Sequence, residues 1–291
     1  MSTPGVRTLA LLAVAVVAIS FAGPLMAGLA VPALAVAFWR NGMATALLAP
    51  VALGPRRAEL GSLGRRDVGL VVLAGALLAL HFGTWVTSLR MTSVAASTAI
   101  VCFQVVWVVA YDRWRGVRLA GPASVGLVVA LVGVLVITGV DLSVSVRALV
   151  GDLLALVGSV AVAAYTVVGA RVRRTVSTTV YTSCCYGTAA VLLLVTCLLA
   201  GVDVVGYHPR EWATLVLVTL TAQLLGHSVF NHLLQVVSPM LVSLALLLEI
   251  PGAALVAAVL LGQLPPVGVV VGLLLILAGT ATVVVSARVS R

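Results

Sequence analysis

The chain has 291 residues and a formal net charge of +9; 62% of it is apolar and only 9% charged. A soluble domain is excluded, because too little polar material remains to coat one, and so is disorder, which needs charge-rich, apolar-poor sequence. The positive balance is 17 arginines with no lysine, clustered between apolar runs, where they report membrane topology rather than a nucleic-acid surface.

A bilayer core about 30 Å thick asks for roughly 20 apolar residues per helix. The sequence predicts ten such helices. Span 1 (8–27) follows Arg7. A charged start before an apolar run is also the pattern of a signal peptide, but nine more spans follow, so it reads as the first helix. Span 2 (31–52) carries Arg40 ~14 Å into the membrane, with Asn41 beside it. Arg40 is placed to meet an anionic substrate group or to pair with Glu249; the alternative is a packing arginine bonded to backbone carbonyls. Span 3 (68–89) sets His81, Thr84, Trp85 and Ser88 on one face, at i, i+3, i+4 and i+7. That face is either a cavity wall, where the tryptophan can stack on a substrate, or a helix seam. Span 4 (92–111) has Gln104 at its middle, and span 5 (120–139) is apolar with glycines.

Span 6 (149–170) opens near Asp152, expected at a wet helix end, and carries Tyr165; span 7 (179–200) carries Tyr186. Span 8 (212–234) repeats the polar stripe with Gln223, His227 and Asn231, while His232 faces away from it. Span 9 (239–262) holds Glu249, ~15 Å deep, the only acid deep in any span. An acid in hydrocarbon either exchanges a proton or cation or stays neutral against a neighbouring helix. Pro251 removes the backbone bond to the Leu247 carbonyl and leaves a polar group near that acid. Span 10 (266–285) contains Gly268 and Gly272, a GxxxG pair suited to close helix approach within the bundle or in a dimer. Trp114 and Trp212 fall at span ends, as aromatic belts require.

Cys102, Cys184, Cys185 and Cys197 lie inside apolar runs, without disulfide or zinc spacing. No HExxH, GxSxG or Walker loop occurs. The expectation is therefore a non-enzyme with no cofactor and no metal.

With the N-terminus in the cytoplasm, thirteen arginines fall inside, among them the clusters at Arg56–Arg57, Arg65–Arg66, Arg113–Arg118 and Arg171–Arg174. Three, Arg90, Arg147 and Arg210, fall outside. The asymmetry places both termini in the cytoplasm and favours an even number of spans.

The second half echoes the first. At a shift of 145, Gly42, Ala44, Leu47 and Leu48 land on Gly187, Ala189, Leu192 and Leu193, and Gln104 lands on Glu249. At 146, His81 lands on His227, and Gly126 and Gly133 on Gly272 and Gly279. Two five-span repeats are predicted, 1–145 and 146–291. An odd span count turns the second repeat over, giving a pseudo-two-fold axis in the membrane plane, an architecture common in secondary transporters with a site near the midplane. His81, ~20 Å from one membrane face, and His227, ~22 Å from the other, obey that axis.

Four stretches carry a family resemblance: FWRNGMATALL in span 2, LALHFGTWVTSLRMTSVAAST across spans 3 and 4, GDLLALVGSVAVAAYTVVGARVRR in span 6, and GHSVFNHLL, SPMLVSLALLLEIP, LGQLPP and GLLLILAG across spans 8 to 10. In this order they resemble the drug/metabolite transporter superfamily, EamA type. The resemblance implies ten helices in two inverted repeats around a central cavity, with export or exchange of small metabolites by alternating access, without ATP. Two departures stand out. Val105 replaces the proline that tends to follow the span-4 glutamine, removing a possible helix break, and Gln263 replaces the glutamate usual in LGE.

The expected protein is a multi-pass transporter of the inner cell membrane, monomeric or homodimeric, taking a small polar metabolite such as an amino acid, with lipid as its other partner. Arg40, His81, Trp85, Gln104, His227 and Asn231 are the candidate substrate-binding residues, and Glu249 the candidate proton or cation site. The rivals are a lipid-linked carrier or flippase of the same fold, and a membrane sensor or enzyme.

Overall fold

The computed structural model describes residues 5–117, 121–141 and 145–289, without the side chains of 138, 140, 141 and 284–289. Arg118, Arg291 and the Arg288 side chain, part of the topology count, lie outside the described residues. In hydrocarbon every backbone group must bond internally, and the described residues form helices joined by turns and loops, with no strand among them.

In chain order the helices are α1 (Val6–Ser20), α2 (Ala22–Ala27), α3 (Ala33–Leu53), α4 (Arg57–Gly61), α5 (Arg65–Ser88), α6 (Val94–Val101), α7 (Gln104–Trp114) and α8 (Gly121–Asp141). The second half has α9 (Val146–Val172), α10 (Thr178–Leu199), α11 (Pro209–Val218), a π-helical segment (Thr219–Ser228), α12 (Val229–Leu233), α13 (Pro239–Leu246), α14 (Glu249–Leu261) and α15 (Val267–Val289). Eight stretches are long and apolar enough to cross a bilayer: Val6–Ala27, Ala33–Leu53, Arg65–Ser88, Val94–Trp114, Val146–Val172, Thr178–Leu199, Pro209–Leu233 and Pro239–Leu261. Shorter apolar stretches, Gly121–Ile137 and Val267–Val283, occupy the places expected for spans 5 and 10.

Spans 4 and 9 are each broken once. The chain turns at Cys102–Phe103 between α6 and α7, and at Leu247–Leu248 between α13 and α14. Both turns tighten to i→i−3 bonding: Val105 N–H donates to the Cys102 carbonyl and Ile250 N–H to the Leu247 carbonyl. Two expectations are corrected here. Val105 does not remove the break in span 4, because the turn needs no proline. Pro251 does not leave the Leu247 carbonyl bare, because Ile250 takes it. The half-helices also start alike: Ser93 accepts from Ala96 N–H before α6, and Ser238 from Leu241 N–H before α13. Serine cap, break, and the polar residue after the break (Gln104 or Glu249) all recur 145 residues apart.

Helix packing rests on missing side chains. A Cβ on Gly279 would run into the Gly126 carbonyl, and one on Gly133 would lie 2.5 Å from that of Gly272. Gly126 thus meets Gly279 and Gly133 meets Gly272, so α8 and α15 cross antiparallel at a distance only glycine permits. Gly272 of the GxxxG pair is used inside the bundle. On α3 and α10, Gly42 faces Ala190 and Gly187 faces Thr45, again antiparallel and again between corresponding helices. Outward-facing Val128, Leu135, Leu198, Leu255 and Val259 are exposed, as lipid-facing positions should be.

The π segment was not anticipated. Within it Ser228 Oγ donates to the Gln223 carbonyl, and Gly226 admits Ile19 of α1, 3.2 Å from where a Cβ would sit. Such segments often mark functional positions, and this one carries Gln223 and His227.

Candidate functional site

The broken helices, the π segment, α5 and α9 meet around an internal cavity. Its polar walls are His81, Trp85, Gln104, Tyr165, Thr166, His227, Asn231 and Glu249. Apolar walls come from Ile19, Val101, Val162, Phe230, Leu234, Val242 and Leu246. Six of the seven residues singled out in the sequence line this one space. Its open volume is about 30 Å³, room for one or two waters, so a metabolite enters only if the lining helices move.

Glu249 and Gln104 follow directly on the two breaks, each as the first residue of a half-helix, α14 and α7. Partial positive charge at a helix start favours negative charge there. Glu249 is 4% exposed. Its Oε1, Gln104 Oε1, Trp85 Nε1 and His227 Nε2 are buried polar atoms without a protein partner. Native interiors leave few such atoms, and four converge on one cavity.

His81 is fixed by the Gly158 carbonyl, 3.0 Å from Nδ1. A carbonyl only accepts, so Nδ1 carries the hydrogen and the neutral ring offers Nε2 as an acceptor. Trp85 stacks on this ring at 5.5 Å with an 18° tilt, and His227 stands edge-on to it at 6.4 Å. Asn231 is held on both sides: Tyr165 OH donates to its Oδ1 (2.7 Å), and its Nδ2 donates to Tyr186 OH (3.3 Å). Tyr165 therefore belongs to the wall, and Tyr186 buttresses it.

Arg40 does not line the cavity. Its Nε donates to Gln223 Oε1 at 2.8 Å, and Gln223 Nε2 donates to Asn41 Oδ1 at 3.1 Å. Its Nη1 reaches Met26 Sδ at 3.4 Å. The guanidinium lies 3.9 Å above the Phe82 ring, a cation–π contact, and Phe82 packs against His227. Arg40 thus stands one layer behind the site, beside Gln223, and forms no ion pair with Glu249; among the described residues the ion pair seen is Arg56–Glu59.

The polar face of span 3 divides. His81 and Trp85 point to the cavity, whereas Thr84 bonds to the Leu80 carbonyl and Ser88 to the Trp85 carbonyl and Ser97. His232 is exposed, near Thr178. Asp152 is a correction: it is 6% exposed, not wet, because α9 begins at Val146 and carries it a turn and a half inward. Of the two tryptophans placed at span ends, Trp114 is 80% exposed and Trp212 packs edge-on against Trp39 at 4.8 Å. The cysteines are free thiols, three of them buried. Gln263 is exposed just past Gly262, whose φ of +65° ends α14.

Thr166 was missed. Its hydroxyl donates to the Val162 carbonyl, the usual way a threonine hides in an apolar helix, and nothing in the sequence separates it from other threonines.

The profile of the EamA-like transporter family matches residues 6–139 and 149–285, once in each half. Sequence comparison with curated proteins gives no match. A solved structure titled "Crystal structure of protein" superposes with a TM-score of 0.76 over 97% of this chain and 98% of its own, at 18% identity; that likeness concerns the fold.

Proposed function

The chain is a member of the EamA-like transporter family, and from that premise we propose a secondary transporter, exporting or exchanging a small metabolite such as an amino acid by alternating access without ATP. In this reading ten helices span the inner cell membrane as two inverted five-helix repeats, residues 1–145 and 146–291, with both termini cytoplasmic. The antiparallel pairing of corresponding helices at Gly126–Gly279 and Gly133–Gly272 supports the inversion, and the arginine asymmetry supports the orientation.

One observation carries the mechanism. Gln104 and Glu249 follow equivalent helix breaks and face one cavity from two sides. Short breaks are where a helix hinges, so movement there repositions the two side chains. Glu249 is the coupling site: protonated it takes no cation, and deprotonated it meets a cation or ammonium group, so proton and substrate alternate. Trp85, His81, His227 and Asn231 orient the substrate, and Arg40 acts from behind through Phe82 and Gln223.

Thermal stability of the detergent-purified protein against a metabolite panel, at two pH values and beside Glu249→Gln, tests this. A compound that stabilises the wild type in a pH-dependent manner, with the pH dependence lost in Glu249→Gln, is the expected result. Stabilisation with unchanged pH dependence in the variant contradicts the coupling role. Stabilisation by lipid-linked sugars alone points instead to a carrier of the same fold.

A further inference from the structure

Two acids remote from the cavity each bridge to the opposite half of the chain. Glu59 of α4 accepts from the Ser177 N–H at 2.6 Å, at the start of α10. Glu211 of α11 accepts from the Ala30 N–H at 2.9 Å, in the turn before α3. Since α3 and α10 are corresponding helices, the two carboxylates grip the same feature, the approach to one span, in opposite repeats.

An arginine completes each grip. Arg90, after α5, donates through Nη2 to the Val31 carbonyl (2.9 Å) and through Nη1 to that of Ala27 (3.2 Å). Arg173, after α9, donates through Nη1 to the Val176 carbonyl. Val31 and Val176 are 145 residues apart, so the same carbonyl is held in each half. The arginines, however, are not repeat partners. The position equivalent to Arg90 is Gln235, whose Oε1 accepts from Arg173 Nη2 at 3.0 Å. The charged group recurs in space while its source in the sequence has moved. Duplication alone does not produce that; a role shared by the two ends does. Burial lowers the pKa of Arg90 and the nearby Glu211 raises it; Arg173 is lowered by burial and raised by Tyr181 and Glu59. Each arginine thus feels the carboxylate at its own end.

The clasp at Arg173 is one step from the site, and the clasp at Arg90 reaches the layer behind it. Arg173 Nε donates to the Asn231 carbonyl at 3.0 Å, and the Asn231 side chain lines the cavity. Ala27, held by Arg90, follows Met26, whose sulfur takes Arg40.

We propose that these clasps are the two gates of the transport cycle: Glu59 with Arg173 closes one end of the cavity, Glu211 with Arg90 closes the other, and one opens while the other holds. The proposal rests on the transport reading above. A charge-assisted bond to a backbone N–H is firm enough to bias a conformation, and at a partly exposed position weak enough to break in each cycle. The glutamates are therefore positioning residues for the alternation rather than ligands of the cargo.

The test places a reporter, Thr166→Cys, on the cavity wall and labels it with a charged, membrane-impermeant thiol reagent in right-side-out and inverted vesicles. The parent without the reporter sets the background. Glu59→Ala is expected to raise labelling from the face carrying Glu59 by about tenfold, the population change that follows losing one charge-assisted bond, and to lower it from the other face. Glu211→Ala is expected to do the reverse. Glu59→Gln keeps an acceptor oxygen but not the charge, so its labelling should fall between those of the reporter parent and Glu59→Ala, which separates loss of the bond from misfolding. Unchanged labelling in both alanine variants, or a rise from the same face in both, overturns the gates. If labelling of that kind accompanies intact substrate-driven proton movement, the gates fall and the transport reading stands. Labelling from neither face in any variant means water does not reach the cavity, and both fall.

Discussion

Arg173 shows how much a single side chain does at the edge of the membrane. It is 1% exposed and serves the Asn231 and Val176 carbonyls, the Thr178 hydroxyl and the Gln235 amide at once. Only a planar fork of five donors does this. Arg173→Ala leaves buried carbonyls unpaired and should cost about 2–4 kcal/mol, read as a lower apparent melting temperature in detergent. Arg173→Lys should fail to restore it, since an ammonium cannot span those acceptors; full recovery would contradict the account. In the sequence this residue is one of a basic cluster and reads as a topology signal, which conceals its bonding. Glu249, Gln104, His81 and His227 are legible for the opposite reason: polar groups in hydrocarbon are costly, so each needs a cavity or a partner. Arg40 satisfies the same rule with a partner, Gln223, and position in a span does not separate the two cases.

At the scale of the helix, long apolar runs announce themselves: eight of the ten predicted runs fall on stretches long and apolar enough to cross a bilayer, and the other two on the shorter apolar stretches Gly121–Ile137 and Val267–Val283. The interruptions do not. IVCFQVV and ALLLEIP change neither composition nor length at their breaks, and only the second contains a proline. TLTAQLLGHS likewise carries no mark of a π turn beyond a glycine and a serine. The glycine crossings are legible as repeated positions, yet their partners depend on direction: Gly126 matches Gly272 in sequence but touches Gly279. Gly133→Ala puts a methyl 2.5 Å from the Gly272 carbonyl and should destabilise the protein by about 1–3 kcal/mol through overpacking. Gly69→Ala, with nothing within 4 Å, should be neutral or stabilising by helix propensity. Equal melting temperatures for the two variants would show that the crossing is looser than described.

For the whole molecule, the repeat joins the observations. Corresponding helices pack on each other, corresponding breaks face one cavity, and corresponding carbonyls are clasped at Val31 and Val176. The halves differ in the residue that follows the break: glutamine after one, glutamate after the other. Gln104→Glu should install a second acid opposite Glu249 and alter the pH dependence of substrate binding, measured as the shift in apparent affinity between two pH values. An unchanged profile would mean that Gln104 does not share the site with Glu249.

In the proposed cycle, substrate-linked proton movement passes through Glu249. It is tested most directly in proteoliposomes holding a trapped pH dye, to which metabolites are added one at a time. A pH change is expected with at least one compound for the wild type, and none above empty liposomes for Glu249→Gln, although that variant should still bind the compound. A pH change of equal size in Glu249→Gln would contradict it.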